Sequence, residues 1–271
     1  MVLAAKEFRY VRADVPASIL RQVHREVCMH LRVCGCTHVV ALRGVWMKPR
    51  VTILLEPMNG GNLHNFVRAR VAKDEARKSE FKGGDYERQR RHAGLVADVA
   101  EGLAALHNVG IVHRDVKSHN VMLNRKLFRR FSGNDEPEWT AKLGDLGSAA
   151  LVPRKGQPGL TEEIGTRGWV APEVFTGNGY GTPADIFSLG ILIWDVFVCG
   201  ALENPMCGMS GEKLMENLRP RWPQPPLPVV PSEIEKLTER CWALEPEARP
   251  TASAVAAELR VFYRKATIWP K

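Results

Sequence analysis

Hydrophobic and polar positions change their rhythm along the chain. Early on, short apolar runs are separated by turn residues. Residues 2–6 read as a strand ending in Lys6, and residues 18–33 as a helix with Ser18 at its N-cap. Val39–Val45 and Val51–Leu55 read as an antiparallel pair joined by "WMKPR", and "EPMNGGNL" (56–63) as a turn-rich connector. Helical periodicity then takes over at 62–78 and 86–107, with a break at 79–85. Short strands at 121–124 and 141–144 flank the polar insertion "RKLFRRFSGNDEPEWT". An irregular stretch runs from 145 to 173. Helices follow, interrupted by the proline-rich 219–231 and closing with 251–264. Strands first and helices later predict an α+β fold with a small sheet lobe and a larger helical lobe. No internal repeat is present.

The most apolar stretch, "IFSLGILIWDVFVCGAL" (186–202), is short for a membrane span. It contains Asp195, and Asp185 stands where it could cap the start. A helix apolar all round reads better as the buried centre of a large domain, so no membrane span is expected. At 271 residues, with 45 % hydrophobic and 25 % charged, the chain can bury two lobes. Its net charge of +8 is compatible with nucleic acid, an anionic membrane, a phosphate-bearing ligand or an acidic substrate. Much of that charge lies in 68–92 and 125–130, which read as solvated insertions, and no nucleic-acid motif with interleaved aromatics occurs. No nucleic-acid partner is therefore expected. The cysteines at 28, 34, 36, 199, 207 and 241 form no C-x-x-C pair and follow no secretory signal, which predicts reduced thiols and a cytoplasmic protein.

The candidate chemistry starts at "IVHRDVKSHNVML" (111–123), where polar residues are clamped between apolar runs. Asp115 and Asn120, with Asp145 in "KLGDLG", supply oxygen ligands from separate loops, a set suited to Mg²⁺ beside substrate phosphates. Asp115 is then free to act on a hydroxyl, and Lys117 can neutralise charge on a transferring group. Upstream, Lys6 on a strand and Glu26 on a helix fit a lysine aimed at phosphates and oriented by a carboxylate. The inventory reads as phosphoryl transfer, in which positioning and electrostatics do most of the catalysis.

These motifs together resemble a protein kinase catalytic domain over nearly the whole chain. His113-Arg114-Asp115 with Asn120 resembles H-R-D-L-x-x-x-N, with Val116 in the leucine position. Asp145-Leu146-Gly147 stands where the family has D-F-G, Ala171-Pro172-Glu173 is A-P-E, and Ala4-Ala5-Lys6 resembles the end of V-A-I-K. The resemblance implies Asp115 as the base, Asn120 and Asp145 on Mg²⁺, and Lys6 on the ATP phosphates paired with Glu26. It also implies Leu55 as gatekeeper, Glu56 to Met58 as the adenine-binding hinge, and Ala4 and Met122 on either side of the adenine ring. Asp185 would brace the catalytic loop, and Glu173 would pair with Arg249. Lys117, together with Thr166 in "GTRGWVAPE", resembles serine/threonine kinases, whereas "ILLEPMNGGNL" and "RCWALEPEARPT" have a tyrosine-kinase flavour. That mixture resembles the tyrosine-kinase-like group of serine/threonine kinases, acting on serine or threonine of a protein substrate. Thr161 in "GLTEEIGT" is the expected activation-loop phosphosite, received by Arg114.

The pattern also departs from the family. The chain opens at the strand of Lys6, without the two strands and the G-x-G-x-x-G loop that cover ATP. "TGNGYG" (176–181) is spaced differently and reads as a plain loop. The expectation is a chain truncated at its start, with residues 1–57 as a shortened N-lobe and 58–271 as the C-lobe. The alternative is an inactive scaffold, or pseudokinase. Cys28, His30, Cys34, Cys36 and His38 invite a zinc reading, but their spacing matches no common closed site.

Overall fold

A computed structural model describes residues 2–11, 15–47, 49–76, 84–125, 139–153, 159–198 and 230–265. The sheet lobe is built from β1 (Ala4–Val11), β2 (Leu42–Trp46) and β3 (Arg50–Leu55), in the order β1-β3-β2, all antiparallel. β1 runs well past Lys6. Ala4, Lys6 and Phe8 are half-buried while Ala5, Glu7 and Arg9 are exposed. The charges that ended the predicted strand therefore occupy the solvent face of a period-2 alternation. Ala4 pairs with Leu55 and Lys6 with Ile53, which sets the face of β1 carrying both residues.

Helix α1 (Ala17–Arg32) follows Pro16, which occupies the N-cap without a side-chain cap bond; Ser18 lies inside the first turn. Val23, Glu26, Met29 and His30 form its buried stripe. Val23 joins Val51 and Ile53 in a small core against the sheet. The predicted strand at 39–45 divides in two. Val39 bridges to Leu143, and the Val40 N–H donates to Leu143 O (2.9 Å), so this end joins the larger lobe. Only Leu42 onward pairs with β3.

The larger lobe consists of α2 (Leu63–Ala76), α3 (Gly84–Asn108), α4 (Pro183–Phe197), α5 (Ser232–Cys241) and α6 (Ala252–Lys265) around one extended core. Two small two-stranded antiparallel sheets belong to it: β4 (Ile111–Val112) with β7 (Ala150–Leu151), and β5 (Val121–Arg125) with β6 (Trp139–Leu143). Most of α4 is buried, with Phe187 and Trp194 at 0 % and 1 % exposure. A Cβ at Gly190 would lie 2.8 Å from the Cys241 Cβ, so the glycine sets the close approach of α4 and α5. No helix among the described residues is long and apolar enough to cross a membrane. The predicted break at 79–85 is described only at its end, where Gly84 and Asp85 open α3. Most of the 125–140 insertion and of the proline-rich 219–231, residues 199–202 of the apolar run, Cys199 and Cys207 lie outside the described residues.

Candidate functional site

The catalytic-loop sequence is held from below by α4. Asp185 is buried, and its two carboxylate oxygens accept the backbone N–H groups of His113 and Arg114, each at 2.8 Å. His107 Nε2 adds a third contact at 2.9 Å. Asp185 is therefore inside the helix as a brace for the loop, and caps nothing. Arg114 adopts φ 68°, unusual for a side chain of its size, and the Asp185 bonds are what hold it there. His113 Nε2 lies 3.0 Å from Gly144 O, tying the loop to the segment that carries Asp145.

Above this brace the polar residues converge. Lys117 Nζ donates to Thr166 Oγ1 (2.6 Å), and the Thr166 hydroxyl donates to Asp115 Oδ1 (2.6 Å). Lys117 also lies 2.8 Å from Asp115 Oδ2. Asn120 Nδ2 donates to both the carbonyl and Oδ2 of Asp115, each at 2.8 Å. Burial opposes ionisation of Asp115, but the bonds from Lys117, Thr166 and Asn120 outweigh it and hold the carboxyl below the ordinary aspartate value.

A second cluster joins the lobes. Lys6 Nζ lies 2.9 and 3.0 Å from the two oxygens of Glu26 and 2.7 Å from Asp145 Oδ1. Burial disfavours the charge on Lys6, yet the bonds to Asp145 and Glu26 raise its pKa above the usual lysine value. Glu26 is fully buried; loss of water pushes its pKa up, and Lys6 offsets only part of that. Asp145 sits at φ 58°, ψ 71°, and its carboxylate is held low by Lys6 against the effect of burial. Gly147 keeps this corner open: a Cβ there would lie 3.2 Å from both Asp145 Oδ1 and Glu26 Oε2.

The residues expected around adenine fall on neighbouring elements. Ala4 and Leu55 are register partners on β1 and β3, and Met122 lies on β5 opposite Lys142. The Glu56 side chain turns inward, accepting from the Ala41 N–H (2.8 Å) and Lys142 Nζ (2.7 Å), and its own N–H donates to Ala41 O (2.9 Å), so its backbone carbonyl is what remains for a ligand on that edge. Met58 follows on the connector, which has no regular structure. Arg249 reaches Glu173 through two bonds of 2.6 and 2.9 Å.

Arg114 Nη1 donates to Glu162 (2.9 Å), not to the neighbouring Thr161, and Arg114 Nη2 is buried without a partner among the described residues. The five residues of the zinc reading disperse. Cys28 contacts His24, His30 Nε2 is buried without a hydrogen-bond partner among the described residues, and His38 turns to Asp98 and Glu101, which Arg260 already neutralises. Cys28, Cys34, Cys36 and Cys241 are free thiols. Sequence reasoning missed Glu162, the Lys142–Glu56 bond and a stacked pair, His64 and His119. Glu162 had a signal, being the acid beside the nominated threonine.

Residues 1–259 match the family described as "Protein kinase domain". The chain is 25 % identical over 261 residues to a "Putative serine/threonine-protein kinase/receptor R826" of Acanthamoeba polyphaga mimivirus, covering 94 % of this chain and 14 % of that protein. It is 23 % identical over 254 residues to a "Probable serine/threonine-protein kinase" of Dictyostelium discoideum, covering 93 % and 24 %. It is 28 % identical over 255 residues to the "Serine/threonine-protein kinase STY17" of Arabidopsis thaliana, covering 93 % and 39 %. The chain thus spans well under half the length of these relatives. A brace under the catalytic loop, a lysine–glutamate pair across the lobes and a convergent Asp–Lys–Asn–Thr group define a phosphotransferase class of fold. The chain belongs to the protein kinase domain family.

Proposed function

We propose that this chain transfers the γ-phosphoryl group of ATP to serine or threonine hydroxyls of a protein substrate. The observation that carries this is the Thr166 hydroxyl, bonded at 2.6 Å to both Asp115 and Lys117. It fixes the base and the lysine in one geometry. Asp115 orients the substrate hydroxyl and accepts its proton. With its depressed pKa it is a weak base, which suits a loose transition state in which positioning dominates. Lys117 balances charge on the group in flight. Lys6, oriented by Glu26, holds the α/β-phosphates. Ala4, Leu55 and Met122 enclose the adenine, and the backbone from Glu56 to Met58 bonds its edge.

Mg²⁺ fits the donor set. Asn120 commits its Nδ2 to Asp115 and has an amide oxygen to offer, and Asp145 presents a half-exposed carboxylate. When bound, the ion neutralises phosphate charge. Asn120 and Asp145 are the residues that would hold it. The division at residue 57 into a nucleotide-binding lobe and a catalytic lobe, membership of the tyrosine-kinase-like group and a cytoplasmic location belong to the same reading. The deciding experiment incubates the full-length protein with labelled ATP, Mg²⁺ and peptides bearing serine, threonine or tyrosine acceptors, followed by phosphoamino-acid analysis. Phosphoserine or phosphothreonine is expected; phosphotyrosine alone, or label that persists in Asp115→Asn, overturns the assignment.

A further inference from the structure

Arg114, the residue before the proposed base, has a side chain that is 1 % exposed. A guanidinium keeps its charge at any physiological pH, so one buried this far needs a counter-charge. The carboxylate of Asp185 goes to the backbone N–H groups of His113 and Arg114 and leaves the guanidinium to others. Arg114 Nε donates to Ser148 O (2.5 Å), a neutral acceptor just past Asp145. Arg114 Nη1 donates to Glu162 Oε2 (2.9 Å), and among the described residues Glu162 is the acid that pairs with this side chain. Arg114 first, and more weakly Arg25 on α1, hold the Glu162 carboxyl below the usual glutamate value, so the pair is a true ion pair at neutral pH.

The stretch that begins at Glu162 is short and pinned at both ends. The backbones of Leu160 and Tyr180 exchange two bonds of 2.9 Å, and the Tyr180 hydroxyl donates to Glu162 O (2.7 Å), so the chain enters the stretch from a fixed contact. Four residues on, Thr166 Oγ1 is bonded to Asp115 and Lys117. Between them Gly165 passes so close to the catalytic loop that a Cβ there would lie 2.7 Å from Arg114 O. Glu162 and Thr166 therefore grip consecutive residues, Arg114 and Asp115, and so short a span leaves little slack to move one grip without the other. Thr161 is exposed, and Arg114 bonds to its neighbour instead. A phosphate on Thr161 would approach a guanidinium that already holds a carboxylate, and would be repelled by that carboxylate.

We propose that Glu162 is a positioning residue of the transfer reaction: paired with Arg114, it holds residues 160–166, and through Thr166 the Asp115 carboxylate, in working geometry with no phosphate on Thr161. This rests on the kinase reading and adds to it how the site is regulated. Glu162 acts through Arg114 and performs no chemistry. The role expected of phosphorylated Thr161 belongs to a carboxylate that the chain carries permanently, so transfer does not wait for a prior phosphorylation of this segment.

The test uses the full-length protein treated with phosphatase, with Thr161 verified as unmodified by mass spectrometry, and a serine-acceptor peptide. The treated protein should keep the kcat of the untreated one within about twofold, and Thr161→Ala should do the same. Glu162→Gln should lower kcat at least about tenfold, the scale of one charge-assisted bond, while nucleotide affinity stays, because Lys6 and Glu26 are not part of this pair. Glu162→Asp restores the charge and should recover part of the loss; a merely structural role would move Tm without that split between kcat and binding. Wild-type kcat in Glu162→Gln, or a loss of transfer on phosphatase treatment that Thr161→Ala reproduces, overturns the proposal. A second readout needs no turnover: amide hydrogen exchange of residues 160–166 in the unphosphorylated protein. Exchange should quicken about tenfold in Glu162→Gln and keep the wild-type rate in Thr161→Ala. If no form of the protein transfers phosphate, the kinase reading fails, and exchange still decides the hold by Glu162: faster exchange in Glu162→Gln sustains it, and unchanged exchange overturns it.

Discussion

Replacing Glu173 with glutamine should destabilise the larger lobe far more than a surface charge change would. The Arg249 side chain is 0 % exposed, and its guanidinium is bonded to both Glu173 oxygens and to the carbonyls of Pro183, Ala243 and Leu244. It also lies 5.2 Å from the centre of the Phe187 ring. Glutamine keeps the shape but leaves a buried cation without its counter-charge, a change that costs about 3–5 kcal/mol. In a domain of this size that corresponds to roughly 6–10 °C in Tm. Arg249→Met should cost at least as much, because it strands three carbonyls as well as the carboxylate. The double variant should be more stable than Arg249→Met alone, since glutamine at 173 leaves no stranded carboxylate. Thermal and urea unfolding of the four proteins measure these differences. An exposed pair is worth about 0–1 kcal/mol, so a loss below 1 kcal/mol in Glu173→Gln would falsify the claim that this ion pair is desolvated.

Asp115→Asn should abolish transfer while sparing nucleotide binding, and Asp145→Asn should remove the Mg²⁺ dependence of that binding; nucleotide titrations with and without Mg²⁺ check both. Asp185→Asn weakens the hold on the His113 and Arg114 amides, at about 1.5–3 kcal/mol for each charge-assisted bond. It should lower kcat together with stability, and unchanged kcat in a folded variant refutes the brace. Glu162→Gln should loosen the segment around Arg114 to limited proteolysis, whereas Thr161→Ala in the unphosphorylated protein should not; the reverse order would put Thr161 in the holding role. His30 is buried with a pKa lowered from 6.5 to about 4, mainly by burial and then by Lys6. The unfolded chain therefore binds the proton first, and stability falls as pH drops from 6.5 towards 4, by about 3 kcal/mol in all. His30→Leu should remove that component, so urea unfolding at pH 7 and 4.5 should show the variant gaining about 2–3 kcal/mol on wild type at the lower pH.

The site was more legible than the elements around it, for a physical reason. Asp115, Lys117 and Asn120 share one short loop, so their spacing in sequence constrains their spacing in space. Asp145, Lys6 and Glu26 could be placed beside them through the family resemblance. The ends of elements depended on tertiary context. β1 continues through Glu7 and Arg9 because one strand face is wet, and Val39 leaves its predicted strand because Leu143 offers a partner. Asp185 looked like a cap because acids favour helix starts, while its burial under the catalytic loop arises from a partner 72 positions away. The stack of His64 on His119 had no local signal at all. Its two halves are brought together by the packing of α2 on the catalytic loop.

The ion pairs of the site also constrain how nucleotide and cation must bind. Lys6 is shared between Glu26, which is buried and cannot leave, and Asp145, which is half-exposed and can. On the proposed reading, the phosphates of a nucleotide would compete with Asp145 for Lys6, and a cation would compete with Lys6 for Asp145. Each exchange alone would leave a group short of a partner, the Asp145 carboxylate in the first case and the Lys6 ammonium in the second. Made together, they would keep every group paired: Lys6 would hold Glu26 and phosphate, and Asp145 would have an oxygen free for the ion. Glu26 supplies the fixed point, because a carboxylate with no access to water has only Lys6 to balance it. The lobes would thus be coupled through Lys6, whose second partner would change on loading. The orienting contact from α1 does not change, which is what a site that works by positioning requires.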